Sequence, residues 1–214
     1  MTDVQNIYIS KQNQQQLTDV AQIEITSNTV EMINNYINLI LQANQKHNLL
    51  GKSTINNFFI RHICDCAHLV PFLKNKQQVI DFGSGSGLPG LLMAIMLPGI
   101  SFTLLEKSVV KAKFLSNTVA ALGLKNVTVA NCVLEDYIKK TTNNYDTCIS
   151  RAFKPLDYIM QNTQKFNNIE LLCMKGKSYE AEIAKAKKKF NFSSKVYFNA
   201  TDDQGVILQC SYLK

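Results

Sequence analysis

The 214-residue chain has no apolar run long enough to cross a bilayer. Its longest strongly apolar stretch covers residues 88–97, whereas a transmembrane helix needs about 20 residues. The N-terminus also lacks a basic segment followed by an apolar one, so no secretory signal peptide is expected. These absences predict a protein that neither spans a membrane nor is exported, and a cytoplasmic location follows by default.

Patterns that bind metal are also missing. The six cysteines include no C-x-x-C pair, and Cys64 and Cys66 lack His or Cys partners at zinc-site intervals. None of the three histidines has metal-ligand spacing. The chain contains no Pro-Cys pair of the kind seen in enzymes that attack pyrimidine C6. We therefore expect no metal and no catalytic cysteine, and most cysteines are expected to be buried in a reducing compartment.

Arginine is scarce in an otherwise basic chain. Of the 23 basic residues 21 are lysine, and only Arg61 and Arg151 are arginine. In such a chain we expect arginine where its planar, forked guanidinium matters, with a surface ion pair as the plainer alternative. The net charge of +7 and the pI of about 9.0 favour a polyanionic partner, although a lysine-rich solvated surface would give the same totals.

The most informative stretch is residues 79–90, Val-Ile-Asp-Phe-Gly-Ser-Gly-Ser-Gly-Leu-Pro-Gly. A short apolar run ends in Asp81, glycines follow at alternate positions, and another apolar run begins after Pro89. This pattern predicts a buried strand, a tight turn and a buried helix. Glycine permits positive φ and close approach of a ligand to the backbone, and a helix N-terminus offers free N–H groups.

Two acids decide which ligand this turn binds. Residues 85–90 also fit the G-x-G-x-x-G dinucleotide fingerprint, but Asp81 directly before the glycines would repel a pyrophosphate. Glu106 ends the next predicted strand, roughly 20 residues after the glycines, where an acid typically binds ribose hydroxyls. An adenosine with a cationic group and a carboxylate satisfies all these features, so we predict S-adenosylmethionine. A glycine turn that only lets helix and strand pack closely is the alternative.

Strands and helices alternate through the rest of the chain. This alternation predicts an α/β fold of the Rossmann-like class, with a mostly parallel sheet. Strands are predicted at 78–82, 100–105, 127–130, 146–150 and 170–174, and helices at 88–97, 108–122, 155–166 and 178–190. Gly123 is expected to close the second of these helices.

Both ends of the chain depart from this alternation. Two final apolar runs, 195–199 and 206–212, are separated only by the turn 201–205 and predict an antiparallel hairpin at the sheet edge. Near the N-terminus, helical periodicity begins at Asn28, the expected cap, and a second helix is predicted from about 54 to 73. We therefore expect a helical N-terminal segment, residues 1–75, packed on a core domain of residues 76–214.

Several short motifs occur in order and together resemble one family. They are Arg-His-Ile-Cys-Asp at 61–65, the glycine stretch at 79–90, Phe-Thr-Leu-Leu-Glu at 102–106, Lys-Phe-Leu at 113–115, Leu-Gly-Leu-Lys-Asn-Val at 122–127, Ile-Ser-Arg-Ala-Phe at 149–153 and Lys-Gly at 175–176. Over roughly residues 30–212 the chain resembles the RsmG/GidB family, the bacterial 16S ribosomal RNA guanine-N7 methyltransferases. Gly-Leu-Pro-Gly and Ile-Ser-Arg-Ala-Phe are the most specific motifs.

The resemblance implies a class I methyltransferase fold, S-adenosylmethionine as methyl donor, and a guanine in the decoding-region loop of small-subunit rRNA as acceptor. By motif it places cofactor contacts at Gly83, Leu88, Leu134, Glu135 and Arg151, and the ribose-binding acid at Glu106. With the glycine turn, the predicted cofactor site is Asp81, Gly83, Gly85, Gly87, Leu88, Glu106, Leu134, Glu135 and Arg151. Predicted partners are ribosomal RNA or the small-subunit particle, with no obligate protein partner evident.

Guanine N7 has an in-plane lone pair and no proton to lose, so its methylation requires alignment and electrostatic support but no general base. Consistent with this, Ser150-Arg151-Ala152-Phe153 stands where methyltransferases of exocyclic amines carry Asn/Asp-Pro-Pro-aromatic. Arg151 is assigned the catalytic role of anchoring a carboxylate or phosphate. The predicted RNA contacts, with Phe153 stacking on a base and the lysines on phosphates, are Arg61, Lys107, Lys111, Lys113, Phe153 and Lys154.

The chain differs from the family pattern at three places. Val133 stands where arginine is frequent, lysines replace arginine at 111 and 113, and the acidic turn 202–204 replaces a basic position. Alternatives are a methyltransferase of another RNA, a small molecule or a protein, an NAD-dependent dehydrogenase, and a non-catalytic RNA-binding protein. The sequence leaves open the exact nucleotide, whether naked RNA or an assembled particle is the substrate, and the oligomeric state.

Overall fold

The computed structural model of the protein describes residues 7–198 and 205–213. Within these residues seven strands form one sheet in the order β3-β2-β1-β4-β5-β7-β6. The strands are β1 (Gln78–Phe82), β2 (Ser101–Leu105), β3 (Val127–Ala130), β4 (Thr147–Arg151), β5 (Glu170–Lys175), β6 (Phe192–Phe198) and β7 (Val206–Tyr212).

The pairing of these strands confirms the predicted α/β sheet. β1 lies between β2 and β4 and is parallel to both, with Asp81 opposite Leu104 and Ile149. The strand order therefore reverses between β1 and β4, and ligands of such sheets bind at the carboxyl ends of the strands near this point. β7 pairs antiparallel with β5 and β6, which confirms the predicted hairpin. Residues 201–204 of its predicted turn lie outside the described residues.

The helices that follow β1 to β5 cover both faces of the sheet. They are α5 (Gly90–Met96), α6 (Val109–Ala121), α7 (Leu134–Lys140), α8 (Leu156–Thr163) and α9 (Tyr179–Lys187). Helix α7 was not predicted, because seven residues give little periodicity and no side chain caps it at Val133. Helix α6 ends as predicted at Gly123, whose φ is +65°, with Leu124 N–H donating to Val119 O.

The N-terminal segment is helical but more broken than predicted. Its elements are α1 (Lys11–Ala21), α2 (Ser27–Asn44), a 3-10 helix (Lys52–Asn57), a π-helix (Phe59–Cys64), α3 (Asp65–Ala67) and α4 (Val70–Leu73). The expected single helix over 54–73 is therefore wrong, and Pro71 near the start of α4 accounts for its final break, since proline lacks an N–H. The expected cap at Asn28 is also wrong: Thr26 Oγ1 accepts from Thr29 N–H at 3.2 Å.

Among the described residues, two hydrophobic clusters form the core, one on each face of the sheet. On one face, α2 and the segment 58–73 bury Ile33, Ile37 and Phe58 against α5 and the sheet. On the other face, residues of α7 to α9 pack against Ile80 and Phe82. The N-terminal segment thus shares a core with the sheet, and its boundary at residue 75 stays a prediction. None of the helices in the described part of the chain is both long and apolar enough to cross a membrane.

Candidate active site

A cavity of about 560 Å³ opens at the carboxyl ends of the strands around β1 and β2. The predicted cofactor residues that line it are Gly83, Glu106, Leu134 and Glu135. The predicted RNA residues that line it are Lys107, Lys111, Phe153 and Lys154. Among the described residues, its lining includes neither Arg61 nor Arg151. The volume lies within the range of small-molecule sites.

The glycine turn is fixed on the neighbouring strand. Gly83, Gly85 and Gly87 have φ values of +73°, +58° and +94°, which are strained for residues with a Cβ. The N–H groups of Gly83 and Ser84 donate to Leu105 O at 2.9 and 3.1 Å. A Cβ on Gly83 would collide with the ring of Phe153, whereas a Cβ on Gly85 would make only an ordinary contact, 3.7 Å from Gly83 O. The fold therefore requires glycine at position 83, because of its positive φ and because the ring of Phe153 occupies the space of a side chain.

Glu106 joins the glycine turn to the start of α6. It is 7% exposed, and its carboxylate accepts from Gly85 N–H at 3.0 Å and from Ser108 N–H at 2.8 Å. These two bonds use one position on each carboxylate oxygen, and each oxygen can accept a further hydrogen bond. A ligand hydroxyl in the cavity can therefore bond to the same carboxylate without displacing the loop.

Asp81 lies beneath the glycine turn and not on the cavity wall. It is 1% exposed, and its Oδ2 accepts from Gly90 N–H, the first residue of α5, at 3.2 Å. Its Oδ1 has no hydrogen-bond partner within the described residues. Burial raises the pKa of this carboxyl to about 7. The structure thus places Asp81 as an anchor of α5, and the predicted contact with a ligand cation stays a prediction.

The far end of the turn is supported by the N-terminal segment. Tyr36 of α2 is wholly buried, and its hydroxyl donates to Ser86 O at 2.8 Å. A Cβ on Gly87 would lie 2.8 Å from the same hydroxyl oxygen, and Leu88 is buried beyond it. Tyr36 was missed by sequence reasoning, although it shares the apolar helical face of Ile33 and Ile40.

Arg151 points toward the N-terminal segment. Its Nη2 pairs with Asp65 Oδ2 at 2.9 Å and donates to Arg61 O at 2.7 Å, and its Nη1 lies 3.1 Å from His62 Nδ1. Burial and the two arginines lower the pKa of His62 to about 3, so the ring is neutral and its Nδ1 accepts from Arg151. The fork of the guanidinium therefore bonds to groups of the protein itself. A contact of Arg151 with a ligand stays a prediction.

The segment after Arg151 turns toward the cavity. Ala152 has φ +48°, a strained value for a residue with a Cβ. The ring of Phe153 then lies over Gly83, with its centroid 6.3 Å from that of Phe82 and 6.2 Å from that of Tyr158. Tyr158, which sequence reasoning missed, donates its O–H to Glu135 Oε1, and this bond lowers the pKa of Glu135.

The remaining predicted RNA residues lie outside the cavity. The side chain of Arg61 is exposed beside the Arg151 contacts, and exposed Lys113 lies on α6. Within residues 7–198 and 205–213, no cluster of His, Cys, Asp and Glu is suited to a metal ion.

The cavity combines an apolar wall, two carboxylates and a lysine rim. This combination suits a nucleoside ligand, with its base on the apolar wall and its hydroxyls on the carboxylates.

The chain is similar to known proteins over most of its length. The family model described as rRNA small subunit methyltransferase G matches residues 29–205. A protein of that name from Paracoccus denitrificans is 32% identical over 191 residues, which cover 88% of this chain and 97% of the relative. Another from Brachyspira hyodysenteriae is 33% identical over 193 residues, covering 87% and 93% of the two chains.

Solved structures show the same fold at low identity. The N-terminal domain of human METTL16 in complex with SAH superposes with a TM-score of 0.56 at 12% identity, covering 70% of each chain. An identity this low supports the shared fold and nothing finer.

The buried Asp81 carboxyl gives a testable pH dependence. Its pKa in the folded chain, about 7, lies above that of an unfolded aspartate. The unfolded state therefore loses the proton first, and the stability contributed by protonated Asp81 falls as pH rises from about 4 to 7. We expect that in Asp81→Asn the free energy of unfolding, measured with urea, no longer falls in this way between pH 5 and pH 7. The control Asp19→Asn, which changes an exposed carboxylate, should show the same fall as wild type. A fall of wild-type size in Asp81→Asn would contradict the raised pKa of Asp81.

The pair between Arg151 and Asp65 predicts a large effect on stability. Its side chains are 20% and 12% exposed, so Asp65→Asn leaves a mostly buried guanidinium without its counter-charge. We expect a loss of about 3 kcal/mol in the free energy of unfolding. The control Lys185→Ala removes one exposed partner of Asp157 and should cost less than about 1 kcal/mol. If Asp65→Asn lost no more unfolding free energy than Lys185→Ala, the pair between Arg151 and Asp65 would contribute little to stability.

Proposed function

The chain belongs to the rRNA small subunit methyltransferase G family, and on this premise we propose that it transfers the methyl group of S-adenosylmethionine to N7 of a guanine in the decoding-region loop of 16S rRNA. The observation that carries the cofactor assignment is the Glu106 carboxylate on the cavity wall, bonded to the N–H of Gly85. The observation that favours an RNA acceptor is the lysine rim of the same cavity, formed by Lys107, Lys111 and Lys154.

The cavity residues fit a nucleoside with a charged tail. Glu106 would accept from the ribose hydroxyls, because each of its oxygens has a free acceptor position. Leu105, Val133 and Leu134 line the cavity and would contact the adenine ring. Gly83 also lines the cavity, and its lack of a side chain leaves room for the ring of Phe153 beside the ligand. Bound there, the cofactor supplies an electrophilic methyl group.

The chain's own contribution is orientation and exclusion of water. Guanine N7 offers a lone pair without a proton, so no residue has to act as a general base. His62 is unsuited to that role, because its Nδ1 accepts from Arg151 and its Nε2 lies 2.9 Å from Thr54 Oγ1. Phe153, held by ring contacts over Gly83, would stack on the acceptor base.

We propose a positioning role for Arg151. Its contacts with the N-terminal segment fix the end of β4, and Phe153 follows two residues later. A guanidinium held in this way aligns the aromatic ring without itself touching the methyl group. The conservative change Arg151→Lys would lose the fork that reaches Asp65 and His62 together.

Methyl transfer in vitro tests the proposed function. Purified chain is incubated with S-adenosylmethionine labelled in its methyl group, and with either small-subunit particles or 16S rRNA transcript. We expect label in the RNA, recovered by nuclease digestion and mass spectrometry as N7-methylguanine. Label in ribosomal protein, in free guanine nucleotides offered separately, or at another RNA atom would support one of the alternative acceptors. An absence of any transfer to both substrates would contradict the proposal.

Glu106→Gln tests the cofactor site separately from the acceptor. The amide keeps the shape of the carboxylate but cannot accept on both sides, so Gly85 N–H or Ser108 N–H loses its partner. We expect a loss of about 1.5–3 kcal/mol in binding, or roughly 10- to 150-fold in Kd, by calorimetry with S-adenosylhomocysteine. Glu180→Gln, which changes an exposed residue of α9, is the control. A Kd for Glu106→Gln within twofold of the control would remove Glu106 from the site.

A further inference from the structure

Acidic residues are absent from two long segments of the sequence. The chain has 16 aspartate and glutamate residues, yet none lies in residues 32–64 or 107–134. Both segments contain basic residues, including Lys46 in the first and Lys113 in the second. A surface built from these two segments is therefore positively charged without compensating carboxylates of its own.

The fold brings the two segments together. Helices α2 and α6 pack side by side, and a groove of about 660 Å³ lies between them. One wall carries Gln42, Lys46 and His47, and the other carries Lys113 and Phe114. Every residue that lines this groove in the described structure comes from one of the acid-free segments. The groove is thus mostly apolar, and its charged lining residues are Lys46 and Lys113.

The groove and the active cavity share helix α6. Lys111 lines the cavity, whereas Val110 and Lys113, its close neighbours on α6, line the groove. The first turn of α6 exposes Val109 by 69% and Val110 by 47%. An RNA strand that follows this end of α6 would therefore pass from the cavity to the groove.

We propose that the groove between α2 and α6 binds the single-stranded RNA segment adjoining the methylated nucleotide. Lys46 and Lys113 would contact phosphates from opposite walls, which requires an anionic occupant. Phe114 on the groove wall provides a surface for a base, and a basic groove with aromatic contacts is the usual design of single-strand sites. Gln42 provides an amide that can bond to base edges. The proposal rests on the RNA methyltransferase function above.

A pair of matched double variants tests this groove. Lys46→Gln with Lys113→Gln removes one charge from each wall. Lys187→Gln with Lys188→Gln removes the same number of charges from two exposed residues at the C-terminal end of α9, neither of which lines the groove. Binding of each variant to a fluorescent 16S rRNA transcript is measured from 50 to about 300 mM salt, which needs no methyl transfer. Calorimetry with S-adenosylhomocysteine and a melting curve check that cofactor site and fold are intact.

The groove variant should bind the transcript about tenfold more weakly than wild type at moderate salt. The slope of log K against log salt should become shallower by about 1.4, the value for two lost phosphate contacts to a single strand. The α9 variant should stay within twofold of wild type, and cofactor affinity should be unchanged in both.

Equal RNA affinity and slope in the two double variants would overturn the proposal. If the groove variant instead lost only the binding of a fluorescent polyglutamate peptide, the groove would be a protein site and the RNA assignment would be wrong. Failure of wild type to methylate RNA, with the groove variant still defective in transcript binding, would overturn the proposed reaction. The groove would then be an RNA site, but its place beside a methylated nucleotide would be wrong.

Discussion

The ion pair between Arg151 and Asp65 joins the catalytic edge of the sheet to the N-terminal helices, and the local geometry of the site depends on it. Removing two charges from water is costly, and the cost is offset only where the geometry is good and further hydrogen bonds are made. Here the carboxylate of Asp65, the carbonyl of Arg61 and the ring of His62 all accept from the guanidinium. With Arg151 held, Ala152 adopts its strained φ and the ring of Phe153 covers Gly83. A buried charge thus fixes the wall of the cavity without lining it.

A second contact attaches the same N-terminal segment to the other side of the site. Tyr36 of α2 supports the glycine turn through Ser86 O, so the turn is held from below by Asp81 and from the side by the helix. The N-terminal segment is therefore part of the active-site framework as well as a cover for the sheet. The same helix forms one wall of the basic groove. The support of the glycine turn and the proposed RNA contact consequently share one structural element.

Local pattern was enough to predict much of this fold. Strand periodicity, the glycine turn and the acid at Glu106 are short-range signals, and the structure brings Gly83, Glu106, Leu134 and Glu135 to one cavity. The partners of Arg151 were not predictable, because Asp65 lies far from it in sequence and only tertiary packing brings them together. Tyr158 and Tyr36 were missed for the same reason, since an apolar helical face does not show where a phenol hydroxyl will bond. The short helices between residues 52 and 73 were missed because the periodicity continues across the breaks.

We propose that this chain methylates N7 of a guanine in 16S rRNA. The most direct test is mass-spectrometric mapping of N7-methylguanine in 16S rRNA from cells that lack the chain, compared with the same cells carrying wild type or Glu106→Gln. We expect one modified guanine in the decoding-region loop that is lost without the chain, restored by wild type and reduced in the variant. An identical map of N7-methylguanine in the presence and absence of the chain would contradict it.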